Sequence, residues 1–278
     1  MKQKFRRRMA LALGALVGAW LLGSGLLGYV VTRPNPGDPE TPAGAVAVWI
    51  PSQDGVRVRA WRFAAPGAWG TVVVGHGYRC DRSQLAMVAP HLARRGLRTV
   101  TFDFRGHGAT EGHADRITFG AREHRDVAPV LAWARALPGP VGYLGFSMGA
   151  AGYVLSGVEA DAAVLDSPFD VLSHALSARL WSLYVPPVLG LPGMAVVSLR
   201  AGESVWGVAP VRRAGALRRP TLFVFAGHDH WVSRASQDAW RRSLAPGSLV
   251  QDYPDLGHGD HFTGAWMARV TSFLAEAL

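Results

Sequence analysis

Residues Tyr143–Leu155 read YLGFSMGAAGYVL. A short apolar run, Val141 to Phe146, enters Gly145-Phe146-Ser147-Met148-Gly149, and small helix-forming residues follow. The pattern predicts a buried strand, a tight bend at Ser147 and a helix from Met148 to Leu155. Glycines two residues to either side of the serine leave room for such a bend. A hydroxyl placed there stands clear of the sheet, but it attacks only if a base removes its proton. The helix that begins near Met148 points its free N–H groups at the reacting atoms. Ser147 is therefore a candidate nucleophile, and the Met148 N–H a candidate oxyanion donor.

The same strand-then-helix rhythm extends in both directions. Val46–Ile50 and Val56–Phe63 alternate about Asp54-Gly55 and predict a hairpin. Further strands are predicted at Thr71–Val74, Arg98–Phe104, Ala162–Leu165, Thr221–Phe225 and Ser248–Tyr253. Helices are predicted at 82–95, 120–137, 234–244 and 261–278. Alternation of this kind predicts an α/β fold, a mostly parallel sheet with helices on both faces. It breaks between Phe169 and Pro210, a stretch rich in Leu, Trp, Pro and Gly with few charges. That stretch predicts a small apolar insert, or lid, over one end of the sheet.

A base and an acid should follow the serine. Asp229 lies in AGHDHWVS, directly after the 221–225 strand, and His258 lies in DLGHGDHF, directly after the 248–253 strand. Both fall at the carboxyl ends of parallel strands, the edge that also carries Ser147 and where open α/β sheets place their sites. Asp229 would orient His258, and His258 would take the serine proton and return it to the leaving group. His261 competes as the base and Asp166 as the acid. VVVGHGYRC supplies a second oxyanion donor, the Tyr78 N–H, and a loop histidine, His76, that braces the turn. His107, in FRGHGATEG, reads as structural. His228, His230, His258, Asp260 and His261 are close in sequence, but no His-Glu-x-x-His or Cys-rich pattern accompanies them. No metal and no cofactor are expected.

Charge and composition exclude other classes. The chain of 278 residues carries a formal charge of +9, and five of its 29 Lys and Arg residues fall in the first eight positions, before any acid. No basic stripe with interleaved aromatics marks a nucleic-acid surface. The single cysteine, Cys80, excludes an internal disulfide. Nothing in the sequence sets the oligomeric state.

Met9 to Val31 is a run of 23 residues without a charge. As a helix it would reach about 34 Å, enough for a hydrocarbon core of about 30 Å. The flanking pattern predicts a basic cytoplasmic N-terminus (1–8), a single-pass signal anchor (9–31), a Pro-rich tether (32–45) and an outward-facing domain (46–278) with its insert at about 169–210. Secretion after cleavage of the segment is the alternative.

The ordered set VVVGHG, FDFRGHGATEG, GFSMGA, LDSPF, FAGHDHWV and GHGDHF resembles the α/β-hydrolase superfamily over roughly Val46 to Leu278. LDSPF, the apolar insert and APVRRAG look like a branch of membrane-anchored hydrolases that includes esterase, acyl-thioesterase and lysophospholipase-like members. The resemblance implies cofactor-free hydrolysis of esters or thioesters through an acyl-enzyme, on small or lipid-like acyl substrates. Two positions depart from the family pattern. Gly227 sits one residue closer to the acid than usual, and Ser233 stands where a proline often follows the valine. An acyltransferase on the same fold and a non-catalytic membrane-tethered binding protein are the alternative functions.

Overall fold

The computed structural model describes residues 2–52, 54–112, 115–260 and 262–278. Eight strands form one sheet: β1 (Ala45–Pro51), β2 (Arg57–Phe63), β3 (Gly70–Gly75), β4 (Leu97–Phe102), β5 (Val141–Phe146), β6 (Ala162–Asp166), β7 (Thr221–Ala226) and β8 (Leu249–Tyr253). Their spatial order is β8-β7-β6-β5-β3-β4-β2-β1. The hairpin β1–β2 pairs antiparallel, as does β2 with β4, and every other neighbour pair is parallel.

Every residue of β3, β5, β6 and β7 is buried. This is the pattern of strands covered on both faces, and it is why these runs read as apolar without alternation. Val72 and Val74 pack beneath α2 (Ala89–Ala93) and α8 (Gly264–Ala277), with Leu92, Trp266 and Val270. Val73 faces the opposite layer, with residues of α3 (Val127–Arg135), α4 (Met148–Ser156) and α7 (Arg234–Ser243). A third apolar cluster holds the insert, α5 (Leu172–Ser182) and α6 (Leu191–Ala201), against Phe119 and Val232.

Two helices are shorter than their sequence periodicity suggests, and buried charges explain why. The expected helix 82–95 is regular only from Ala86, because the Arg82 N–H donates to Asp103 Oδ1 (2.6 Å) and Asp81 caps the Ser83 N–H (2.8 Å). The expected helix 120–137 begins as a 3₁₀ turn at Glu123, and α3 starts at Val127. Glu123 is turned back to accept from the N–H groups of Thr118 (2.6 Å) and Gly120 (2.8 Å), and Asp126 accepts from the Arg105 N–H (2.7 Å). At the C-terminal end α8 starts at Gly264, and His261 lies outside the described residues.

The N-terminal helix α1 (Lys2–Val31) takes in the basic segment as well as the apolar run. Among the described residues it is the one single helix long and apolar enough to cross a membrane, and a signal sequence would meet the same test. The Pro-rich segment after it lies on the domain. Asn35 and Pro36 pair with His107 and Gly108, Asn35 Nδ2 donates to the Arg79 carbonyl (3.0 Å), and Asp38 pairs with Arg82. The carbonyl oxygens of Arg79, Gly106 and Gly108 accept from Asn35 and Gly37, and the buried Arg82 guanidinium meets Asp38, so this polar segment has partners on the domain and does not extend into solvent.

Arg82 is completely buried, stacked over the Trp61 ring and paired with the equally buried Asp103. Replacing Arg82 by leucine strands the Asp103 carboxylate, so urea unfolding at pH 7 should show a loss of about 3–5 kcal/mol. Retention of wild-type stability would show that Asp103 is satisfied by its backbone donors alone.

Candidate active site

Strand β5 ends at Phe146 and α4 begins at Met148, so Ser147 alone makes the bend. Its φ of 51° lies where non-glycine residues are rare. Packing on both sides enforces it. A Cβ at Gly149 would sit 2.4 Å from the Gly75 carbonyl oxygen, and one at Gly145 would sit 2.7 Å from the Ala150 nitrogen. Strand β3 and helix α4 therefore press so closely on the turn that neither position admits a side chain. The Ser147 N–H donates to the Asp166 carbonyl (2.7 Å), and its own carbonyl accepts from Ala151 (3.0 Å).

His258 and Asp229 reach the same point from the ends of β8 and β7. Asp229 Oδ1 accepts from the N–H groups of Trp231 (2.7 Å) and Val232 (2.8 Å), which fixes the carboxylate plane. Its Oδ2 lies 2.6 Å from His258 Nδ1, and His258 Nε2 lies 3.0 Å from Ser147 Oγ. A carboxylate only accepts, so Nδ1 carries the proton and Nε2 offers its lone pair to the serine hydroxyl. The Asp229 side chain is 1% exposed and that of His258 10%. The Phe146 ring packs against the imidazole at 4.8 Å between centroids.

The two departures from the family pattern have local causes. A Cβ at Gly227 would lie 2.0 Å from the Pro254 carbonyl oxygen, so the close approach of the β7 and β8 loops demands glycine there. Ser233 caps α7, accepting from the Ser236 N–H (3.2 Å), and so starts the helix where proline would otherwise do so.

The Tyr78 and Met148 N–H groups have no hydrogen-bond partner among the described residues, and both residues line the cavity at Ser147. The neighbouring Gly77 N–H is held by Gln84 Oε1 (2.8 Å). His76 is buried beneath this loop. Its Nε2 accepts from the Phe104 N–H (3.1 Å), which leaves Nδ1 to donate to the Gly77 carbonyl (2.7 Å). It braces the turn as a neutral ring, since burial pushes its pKa down. His107 does the same for the next loop, its Nε2 accepting from the Arg79 N–H (3.3 Å).

A cavity of about 490 Å³ opens over Ser147. Phe119, Phe146, Phe169, Leu172 and Trp231 make its walls mostly apolar, with His230 and Asp260 at the rim. Burial, and then the nearby His258, hold the His230 pKa below its ordinary value. Cys80 also lines the cavity, but burial raises its thiol to about 11, so little thiolate forms at neutral pH.

Asp166 stands apart from the imidazole pair. It is fully buried and accepts from Trp266 Nε1 (2.7 Å) and from Ser167 Oγ (2.9 Å). The competing base, His261, lies outside the described residues. Among the described residues no three His, Cys, Asp or Glu side chains converge as a metal-holding group. Three contributors were not legible in sequence. Gln84 lies inside a segment that reads as helix, Phe119 lies in no motif, and Trp231 lies in FAGHDHWV, where the motif singles out only the aspartate. Only the packing of three loops brings them to the cavity.

Gly149→Ala should cost several kcal/mol or block folding, because its Cβ would meet backbone that cannot yield; a melting temperature within a degree or so of wild type would show that the bend relaxes. The buried His76 and His107 give stability its sign with pH. Unfolded imidazoles protonate near 6.5, while the folded ones, with lowered pKa, stay neutral. Folding therefore loses stability as pH falls through about 6.5 and below. Thermal unfolding at pH 8 and pH 5.5 should show the lower melting temperature at pH 5.5.

Comparison with known proteins bears on the fold that carries this geometry. Residues 67–204 match the family described as serine aminopeptidase, S33. An uncharacterized protein of Mycobacterium tuberculosis, Rv2307c, is 26% identical over 254 residues, 90% of this chain and 85% of that one. Among solved structures, the Pyrococcus furiosus esterase Pf2001 superposes with a TM-score of 0.70 at 24% identity, covering 88% of this chain and 99% of its own. Est1E from Butyrivibrio proteoclasticus, solved with ferulic acid bound, superposes with a TM-score of 0.65 at 18% identity, covering 83% and 99%. The strand order, the bend between β5 and α4 and these likenesses agree on one architecture: the chain has the α/β-hydrolase fold.

Proposed function

We propose that this chain is a serine hydrolase that cleaves carboxylic esters or thioesters through an acyl-enzyme. The observation that carries the reading is the unbroken run from Asp229 Oδ2 through His258 to Ser147 Oγ, with contacts of 2.6 and 3.0 Å. The hydroxyl attacks the acyl carbon as His258 Nε2 takes its proton. The carbonyl oxygen becomes an oxyanion, and the N–H groups of Tyr78 and Met148 stabilise it. Collapse of the adduct expels the alcohol or thiol, which receives the proton from His258. Water then repeats the sequence on the acyl-serine, His258 again taking and returning one proton, and the acid is released. Asp229 keeps the imidazole in the productive tautomer and stabilises the imidazolium.

The substrate class follows from the walls. A mostly apolar cavity with no Lys or Arg among its described lining residues favours an uncharged acyl group, small or lipid-like. The names of the structural neighbours, esterases among them, support the same class. The name of the matched family points to peptides instead, so amide substrates belong in the test. We place α1 as a single-pass membrane anchor with the domain on the outer side, on the strength of its length and the five positive residues at its start.

The test is labelling of the full chain in detergent with a fluorophosphonate. Wild type should label and Ser147→Ala should not. Asp229→Asn and His258→Ala should label slower by factors on the order of 10²–10⁴. p-Nitrophenyl esters should be turned over faster than alanyl anilide. A folded wild type that fails to label would end the hydrolase reading, and wild-type labelling by His258→Ala would move the base to His261.

A further inference from the structure

A second cavity, of about 330 Å³, lies between α1 and the insert. Its lining is almost wholly apolar and includes Leu27 and Val31 of α1 and Leu180, Met194 and Val197 of the insert. Tyr78, Phe119 and Trp231 line this cavity and the one at Ser147 as well. They form the partition between the two, with the Tyr78 and Phe119 rings stacked at 4.4 Å.

The helix α1 is fixed to the insert along its second half. A Cβ at Gly28 would lie 2.3 Å from the Gly193 carbonyl oxygen, so the two backbones are in direct contact. The Gly193 N–H donates to Ser24 Oγ (3.0 Å), and Trp20 Nε1 donates to the Leu189 carbonyl (2.8 Å). At the top, Arg200 Nε donates to Thr32 Oγ1 (2.6 Å), and the Tyr78 hydroxyl donates to the Val31 carbonyl (2.7 Å).

This docking has a consequence for depth. From Val31 back to Trp20, α1 runs about 17 Å, and from Met9 to Trp20 it runs about the same. Neither half alone crosses a hydrocarbon core of about 30 Å. If α1 spans, its second half is submerged, and the insert docked on it is submerged too. The insert is built for that place. Leu180 to Leu199 contains no charged residue, and Arg179 and Arg200 bracket it. Its two helical arms bend through 118°. Beside the side chains that line the cavity, others point outward: Trp181 is 60% exposed, Leu199 81% and Tyr184 94%. Its tip also spends few polar groups, since the N–H groups of Leu183, Tyr184, Val185 and Leu189 bond within it. Pro186 and Pro187 have no N–H to satisfy. Irregular backbone at membrane depth needs that economy.

We infer that the insert is embedded in the leaflet beside the anchor, and that the cavity between them admits the acyl chain of a bilayer lipid and delivers its head end past Tyr78 to Ser147. The inference rests on the hydrolase reading for the fate of the lipid, but not for its entry. The anchor is then a wall of the substrate site as well as an attachment.

The test uses the full chain as Ser147→Ala in nanodiscs of phosphatidylcholine, doped with phosphatidylcholine carrying a diazirine part-way along one acyl chain. After irradiation, adducts are mapped by mass spectrometry. Exposed residues of α1 label in any case. The diagnostic sites are Met194 and Val197, only 4% and 2% exposed, and Phe119 at 4%. Adducts are expected there, and in Ser147→Ala/Val197→Trp, which fills the cavity, adducts at Met194 and Phe119 should fall about tenfold or more. Adducts confined to the outer faces of α1, with none at the buried sites, would overturn the inference. A nitroxide on Tyr184→Cys, in a Cys80→Ser background, gives a second readout of depth. It should be shielded from a water-soluble nickel chelate and open to oxygen, whereas a label on Asp238→Cys should be the reverse. Equal chelate access at both positions would place the insert in water. Neither readout needs turnover, so failure of the hydrolase reading would appear in the fluorophosphonate assay alone.

Discussion

The site depends on one strained residue. Ser147 is held at a positive φ because β3 and α4 leave no room at Gly145 and Gly149 for anything larger. That compression turns the chain from strand to helix within a single residue. It brings Ser147 and Met148 to the wall of the cavity. The hydrogen bond from the Ser147 N–H to the Asp166 carbonyl ties the bend to the next strand. Strain of this kind persists only where surrounding packing over-determines it. Here the surroundings are two fully buried parallel strands and a helix.

Buried charge does the rest of the positioning, and little of it faces the cavity. Asp103, Glu123 and Asp126 spend their carboxylates on backbone N–H groups of the loops beside the site. Arg82 and Arg105 neutralise Asp103 and Asp126. These ion pairs hold the Gly77–Tyr78 loop and the Gly106–Gly108 loop at fixed distances from β5. Asp229 works on the same principle, with two backbone donors on one oxygen and the imidazole on the other. The same device braces a loop in one place and holds an imidazole in the other, and the neighbour on the second oxygen decides which.

The N-terminal helix is joined to this core and not merely attached ahead of it. The Tyr78 hydroxyl reaches the last turn of α1, while Tyr78 also lines the cavity at Ser147. One residue thus links the helix to the loop beside Ser147. The polar segment after α1 is strapped across the His107 loop and Arg82. The helix, the strap and the insert therefore form a continuous surface on one side of the site.

The core strands and the order of the fold were legible because parallel strands buried on both faces must be apolar runs, and because Gly-x-Ser-x-Gly has few other uses between a strand and a helix. Asp229 and His258 were legible for a topological reason, since each follows a strand whose carboxyl end must lie at the Ser147 edge. The starts of α2 and α3 were not, since their first turns are surrendered to ion pairs with residues about 20 positions away, and periodicity carries no record of such partners. Strand position alone does not separate Asp229 from its competitor Asp166, because both follow strands. The tertiary structure separates them by burying Asp166 against Trp266 and opening Asp229 toward the imidazole. The docking of α1 on α6 was equally hidden. Gly28 and Gly193 look like incidental small residues in apolar segments, and only the contact between two backbones 165 positions apart shows why neither carries a side chain. What the sequence by itself determined was local: which segments are buried, where the chain must bend, and which side chains have the chemistry. What only the tertiary structure decided was which of those side chains meet, because that depends on distances between segments that no local pattern encodes.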